Sequence, residues 1–107
     1  NQPTAIMCFN DTIAIGLVHA CHQQGISVPE NLSITGFDNI TFSAFTCPPL
    51  TTLDQPKYSI GNEAAHLLLD LLGKKIENSN EMHKEKILKG RLLVRSSTTS
   101  PNIKGIL

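Results

Sequence analysis

At 107 residues the chain has room for one small domain, and with 40% hydrophobic and 17% charged residues, against a usual charged share of about 25%, it has a core to bury and is not disordered throughout. Nine Lys and Arg balance nine Asp and Glu for a net charge of zero, and the bases clustered between Lys74 and Arg95 are interrupted by Glu77, Glu81 and Glu85, so this chain carries no basic face for nucleic acid. Three cysteines (Cys8, Cys21 and Cys47) without a CxxC spacing argue against a disulfide framework and suit a reducing cytoplasm, and no apolar run reaches the roughly 20 residues of a membrane span.

In chain order, Thr4 to Phe9 is a short continuous apolar run of the kind found in parallel strands buried on both faces. Asn10-Asp11-Thr12 follows at once, and all three types suit a helix start. The helix is expected from about Asp11 to Gln24, stopping at Gly25. Ser27 to Asn31 is a loop, and Leu32 to Phe37 a second strand, so the first third reads as one right-handed βαβ unit. Asp38 to Pro49 is a long irregular connection. Leu50 to Leu53 is a third strand, and Pro56 suits the first turn of a helix over Lys57 to Leu72 that ends at Gly73. Lys74 to Lys84 is a polar loop. Glu85–Leu88 and Arg91–Arg95 read as two final strands around Gly90, and Ser96 onward as tail.

Helical periodicity puts Ile13, Ala14, Leu17, Val18 and Cys21 on one stripe of the first helix, with Ile15, His19 and His22 opposite. In the second helix Ile60, Ala64, Leu67, Leu68 and Leu71 form the stripe, with Leu69 the outlier. The first stripe is the expected core face. Ile15 beside two histidines is a candidate partner surface.

In an open parallel sheet, ligands bind beyond the carboxyl ends of the strands. The three predicted exits carry Asn10 and Asp11, Asp38 and Asn39, and Asp54 and Gln55. Each pairs an amide with a carboxylate, groups that hydrogen-bond vicinal hydroxyls or the edge of a base. Each also has a plainer reading: Asn10 as a helix cap, Asp38 as a turn opener.

The same residues carry a resemblance. Pro3-Thr4-Ala5-Ile6 leading to Phe9-Asn10-Asp11 and Ala14-Ile15-Gly16 is one piece of it. Gly25-Ile26-Ser27-Val28-Pro29-Glu30-Asn31-Leu32-Ser33-Ile34-Thr35-Gly36-Phe37-Asp38-Asn39 is the second, and Pro48-Pro49-Leu50-Thr51-Thr52-Leu53-Asp54-Gln55-Pro56, with Gly61 and Ala64-Ala65 beyond it, the third. Leu92-Leu93-Val94-Arg95-Ser96-Ser97-Thr98 is the last. In that order they resemble the effector-binding domain of the lactose-repressor/galactose-repressor family, from about Pro3 to Pro101. Only the stretch from Gly73 to Gly90 follows no pattern.

The resemblance implies an α/β fold: a three-layer α/β/α sandwich with a mainly parallel sheet, one lobe of a type I periplasmic-binding-protein-like domain. Residues 1–101 would be its C-terminal lobe and 102–107 a tail. The family's regulators hold a small effector, often a sugar or a purine, between two lobes and read an operator through a helix-turn-helix. The second lobe and the DNA reader lie outside this chain, and the opening Asn1-Gln2-Pro3-Thr4, without a methionine, fits a piece of a longer protein. Carried onto this sequence, Asn10 and Asp38 would hydrogen-bond the effector and Gln55 would lie at or near the pocket. Asp11 and Asn39 would be structural beside it. A homodimer would form through Ile15, His19, His22, Phe42, Phe45, Thr46 and Cys47. The implied location is the cytoplasm, and no cofactor is implied.

Two rivals differ in class. A solute-binding protein of a transport system shares the two-lobed architecture. An enzyme would need a catalytic constellation, and none is legible. His19 and His22 share a helix face at i, i+3, but with His66, His83 and the cysteines they offer no third metal ligand at credible spacing. There is no phosphate-binding glycine loop and no nucleophile elbow. Cys8 falls within a strand and is expected to be a buried, inert thiol.

Overall fold

A computed structural model describes residues 2–73 and 85–101. The predicted loop 74–84, with His83, and the tail 102–107 lie outside the described residues. The elements are β1 (Ala5–Met7), α1 (Asp11–Gln23), β2 (Ser33–Thr35), a 3-10 turn (Thr41–Ala44), β3 (Thr52–Asp54), α2 (Lys57–Gly73) and β4 (Arg91–Leu93). The chain is an α/β protein. It divides into two units: residues 1–54 with 91–107, and residues 55–90.

In the first unit β1 pairs in parallel with β2, Ile6 opposite Ile34. β3 pairs antiparallel with β4, Leu53 opposite Leu92. A parallel bridge between Thr35 and Thr51 joins the two pairs. Ser97 stitches the same seam: its carbonyl accepts from Ile34 N at 2.9 Å, and its hydroxyl donates to Ile34 O at 2.6 Å and accepts from Thr51 N at 2.8 Å. These bonds pair the buried Ser97 hydroxyl and carbonyl, which offsets the desolvation cost of burying them.

The core of this unit is Cys8, Ala14, Val18, Cys21, Leu32, Ile34 and Leu50, flanked by Ile6, Ile15, Leu17 and Val28. Ile34 and Leu50 are wholly buried, worth about 1.5–3 kcal/mol each by area removed from water. α1 starts where expected. Asn10 Oδ1 accepts from Ile13 N at 2.9 Å, and Gly25 at φ +68° ends the helix in the left-handed region that glycine enters without strain.

Several sequence expectations are corrected. β1 is not buried on both faces: Ile6 is half-buried against the core while Ala5 and Met7 are exposed. Within this unit a helix covers only one face of the strand, so its burial alternates. On α1 the inward residues are Asp11, Ala14, Val18 and Cys21. That phase leaves Ile13 exposed and brings Ile15, predicted opposite the core, to its flank beside Leu17. A short 3-10 turn interrupts the irregular 38–49 connection. Ser96 onward is not all tail, since Ser97 is fully buried. β4 stops at Leu93, because Arg95 leaves the ladder to bond Thr51.

In the second unit α2 has the expected bounds, but its predicted stripe encloses nothing: no residue of α2 is buried. Residues 85–88, predicted as a strand, are not one. Lys86 Nζ pairs with Glu63, and this hydrogen bond holds the Glu63 carboxyl below its ordinary range.

Candidate functional site

The site is built by the parallel ladder. Cys8 N donates to Thr35 O at 2.8 Å and Asp11 N to Phe37 O at 2.9 Å, while Gly36 N reaches Thr51 O at 2.9 Å and Asp38 N reaches Leu53 O at 3.0 Å. These bonds bring the carboxyl ends of β1, β2 and β3 to one edge of the first unit. Asn10, Asp38 and Asp54 therefore share a rim. Gln55 is the first residue of the second unit, and its carbonyl accepts from Lys57 N at 2.8 Å at the start of α2.

Asn10 is half-buried, and its cap uses the carboxamide oxygen only. The amide nitrogen is a donor the cap does not require. Asp38 is half-buried with φ 104°, and Asn39 follows at φ 48°. Asparagine tolerates the left-handed region, but an aspartate at φ 104° lies outside it and is strained. Such strain persists only where neighbours over-determine the backbone, and here they do: Asn39 N donates to Thr52 Oγ1 at 3.3 Å and Ile40 N to Asp11 Oδ2 at 2.9 Å.

Asp11 is the brace. It is fully buried, and its other oxygen accepts the Thr52 hydroxyl. It also lies in the first turn of α1, where the helix dipole favours negative charge. Gly36 makes room for it. A Cβ at Gly36 would collide with the Asp11 carboxylate and stand 2.9 Å from Leu50 Cδ2.

Two features of the rim escaped the sequence reading. Phe9 and Phe37, the residues before Asn10 and Asp38, are exposed by 85% and 39%, so an aromatic accompanies each polar group. Their positions at the strand exits were the available signal. Arg95 is the second. Its Nη2 donates to Asn39 Oδ1 at 2.9 Å, and its Nη1 to Leu50 O at 2.8 Å and Ser43 Oγ at 3.1 Å. Nothing in local sequence pattern links position 95 to position 39.

A separate depression of about 290 Å³ is lined by Ile15, Val18, His19, His22, Thr46 and Cys47. Five of the seven candidate subunit-contact residues thus meet there. Phe42 and Phe45 are exposed on the same 41–47 segment but do not line it. The Cys47 thiol is exposed, whereas Cys8 and Cys21 are buried, and burial pushes the Cys8 thiol up. Among the described residues no group of three or more His, Cys, Asp or Glu could hold a metal ion, and no helix is long and apolar enough to cross a membrane.

The model of the periplasmic binding protein-like domain matches residues 1–98. The repressor PurR of Vibrio vulnificus (strain CMCP6) is 41% identical over 91 residues, 83% of this chain and 27% of the relative. The repressor CytR of Escherichia coli K12 is 43% identical over 96 residues, 90% of this chain and 27% of the relative. Both are HTH-type transcriptional repressors. The structure is similar to that of the Lac repressor dimer bound to operator and the anti-inducer ONPF, with TM-score 0.79 at 28% identity, covering 92% of this chain and 32% of that one. It is also similar to a LacI family transcriptional regulator from Lactobacillus casei with bound sucrose, with TM-score 0.72 at 29% identity, covering 90% and 34%. The chain spans about a quarter of the length of the curated relatives it matches.

Proposed function

The chain belongs to the periplasmic binding protein-like domain family, in the form found in lactose-repressor/galactose-repressor regulators, and from this premise we propose that it is the effector-sensing and dimerisation lobe of a cytoplasmic transcriptional repressor. Its ligand is a small polar molecule, a sugar or a purine. Asn10 and Asp38 hydrogen-bond it, and the neighbouring exposed Phe9 and Phe37 suit a ligand with a flat or apolar face. Asp11 and Asn39 hold the rim in shape. Gln55 enters this reading through its place after the third strand and through the family resemblance. The operator is read by a domain outside this chain.

The observation that carries the proposal is the common rim: the Asp11 N–Phe37 O and Asp38 N–Leu53 O bonds bring Asn10 and Asp38 to one end of the sheet. Two polar groups on one strand-exit edge form half a mouth, and a second lobe supplies the other half. Effector binding favours one arrangement of the lobes, and coupling to the operator cannot exceed the difference in binding free energy between arrangements, typically about 1–3 kcal/mol. The homodimer in this reading uses Ile15, His19, His22, Thr46 and Cys47 around their shared depression, with Phe42 and Phe45 beside it.

This is a binding module rather than an enzyme. A solute-binding protein of a transport system is the alternative of like architecture, and the repressor relatives favour the regulator. The test is calorimetric titration of the protein extended to include the second lobe, against sugars and purine nucleosides. Asp38→Ala should weaken binding about tenfold or more, and undiminished binding by that variant contradicts the proposal.

A further inference from the structure

Residues 38–50 of the first unit form a compact polar device. Ser43, in the 3-10 turn, is fully buried. Its amide and hydroxyl both donate to Ile40 O, at 3.0 and 2.7 Å, and its carbonyl accepts from Leu50 N at 2.8 Å. Thr46 Oγ1 lies within hydrogen-bond reach of Ser43 O and Pro48 O. The loop is thus hung on Ser43. The turn before it, Asp38-Asn39, is the strained part of the rim.

One side chain spans both. Arg95 donates to Asn39 Oδ1 on the rim and to Ser43 Oγ and Leu50 O in the loop. Its own backbone is anchored from the other side, its N–H donating to Thr51 Oγ1 at 2.9 Å and its carbonyl lying 3.2 Å from the same hydroxyl. A planar guanidinium meets three acceptors in fixed directions, which an ammonium on a flexible stem does not. Ser43 Oγ also lies 3.4 Å from Asn39 Oδ1, and the anchored fork bonds both side chains at once and holds them at that separation.

We infer that Arg95 is a positioning residue that fastens the rim at Asp38–Ile40 to the Thr41–Cys47 segment bearing Phe42, Phe45 and Cys47, so that a shift of one is passed to the other. The functional meaning rests on the effector-sensing reading: occupancy at Asp38 reaches the proposed subunit-contact surface through Asn39, Arg95 and Ser43. The mechanical linkage itself does not depend on any ligand.

Amide hydrogen exchange on the full chain tests it, comparing wild type with Asn39→Ala, Arg95→Gln and the double variant. In Arg95→Gln the Ile40, Ser43, Phe45 and Leu50 amides should exchange about tenfold faster, while the Cys8 and Ala14 amides of β1 and α1 keep their rates. Asn39→Ala should speed Ser43 and Phe45, and the double variant should fall short of the sum of the two single effects, because both substitutions remove the same Asn39–Arg95 bond. Unchanged Ser43 and Phe45 rates in Arg95→Gln, equal acceleration of all amides, or additive effects in the double variant overturn the inference. Should Arg95→Gln fail to fold, Arg95→Lys serves: a selective gain at Ile40 and Ser43 supports the linkage, and wild-type rates there overturn it. A protein extended to include the second lobe that shows the linkage but binds no sugar or nucleoside keeps this inference and overturns the functional reading instead.

Discussion

Arg95 Nη2 donates to Asn39 Oδ1 at 2.9 Å across 56 positions of sequence. The entire second unit lies between them in the chain, yet the bond is internal to the first. It shows how the returning segment after β4 completes the rim begun at β2. The polar side chains of this rim come early in the sequence, and the group that bonds one of them comes late.

Gly36 is required by space rather than by backbone freedom. Alanine there drives a methyl group into the Asp11 carboxylate and against Leu50. Overpacking of a tight core costs about 1–3 kcal/mol, and displacing Asp11 adds to it. Urea denaturation of Gly36→Ala should show a loss of about 2 kcal/mol or more with an unchanged m-value.

Asp11 satisfies two donors, the part-buried Ile40 N and the buried Thr52 hydroxyl. Asp11→Ala strands both and should destabilise by about 3 kcal/mol. Asp11→Asn keeps one acceptor and should cost less. Denaturant midpoints give both values, and faster exchange of the Ile40 amide in Asp11→Ala would report the loosened rim.

Substitution can separate the helix cap that Asn10 makes from its proposed effector contact. Serine caps a helix about as well as asparagine, whereas alanine costs about 1 kcal/mol. Asn10→Ser should therefore keep wild-type stability while losing effector affinity with the amide donor, and Asn10→Ala should lose both. Thermal melts and calorimetric titration of the same variants check this. Full affinity in Asn10→Ser would reduce Asn10 to a cap.

Burial raises the Cys8 thiol above its ordinary value of 9.0. The unfolded chain then releases this proton before the folded one, so stability falls with rising pH in that window. The contribution is intact below pH 9.0 and is lost as pH climbs through the raised folded value. Cys8→Ser should flatten the alkaline limb of the stability curve. At neutral pH iodoacetamide should label exposed Cys47 and spare Cys8 and Cys21 until the chain unfolds.

Much of this was readable from local pattern. Asn10, Gly25 and Pro56 mark helix ends through backbone chemistry that operates within one turn, and α1 and α2 begin and end within a residue or two of expectation. Strand exits were readable because an apolar run stops at a polar pair. What failed needed tertiary knowledge. Ile13 and Ile15 differ by two positions, and only the packed sheet decides which is covered. Met7 and Phe9 looked like core because an apolar run does not say how many of its faces are covered. Arg95 and Ser97 sit in a stretch read as strand end and tail, and their partners lie more than 40 positions away.

The most direct test of the account is chemical-shift mapping on the isotope-labelled chain, titrated with glucose, sucrose, ribose and adenosine. Even weak contact with half a pocket moves amide resonances. Perturbations are expected to gather at Asn10, Asp38, Asn39 and Ile40 and to be lost in Asp38→Ala. Perturbations gathered at the opposite strand ends, around Thr4, Asn31 and Ser33, or a pattern that survives Asp38→Ala, would contradict it.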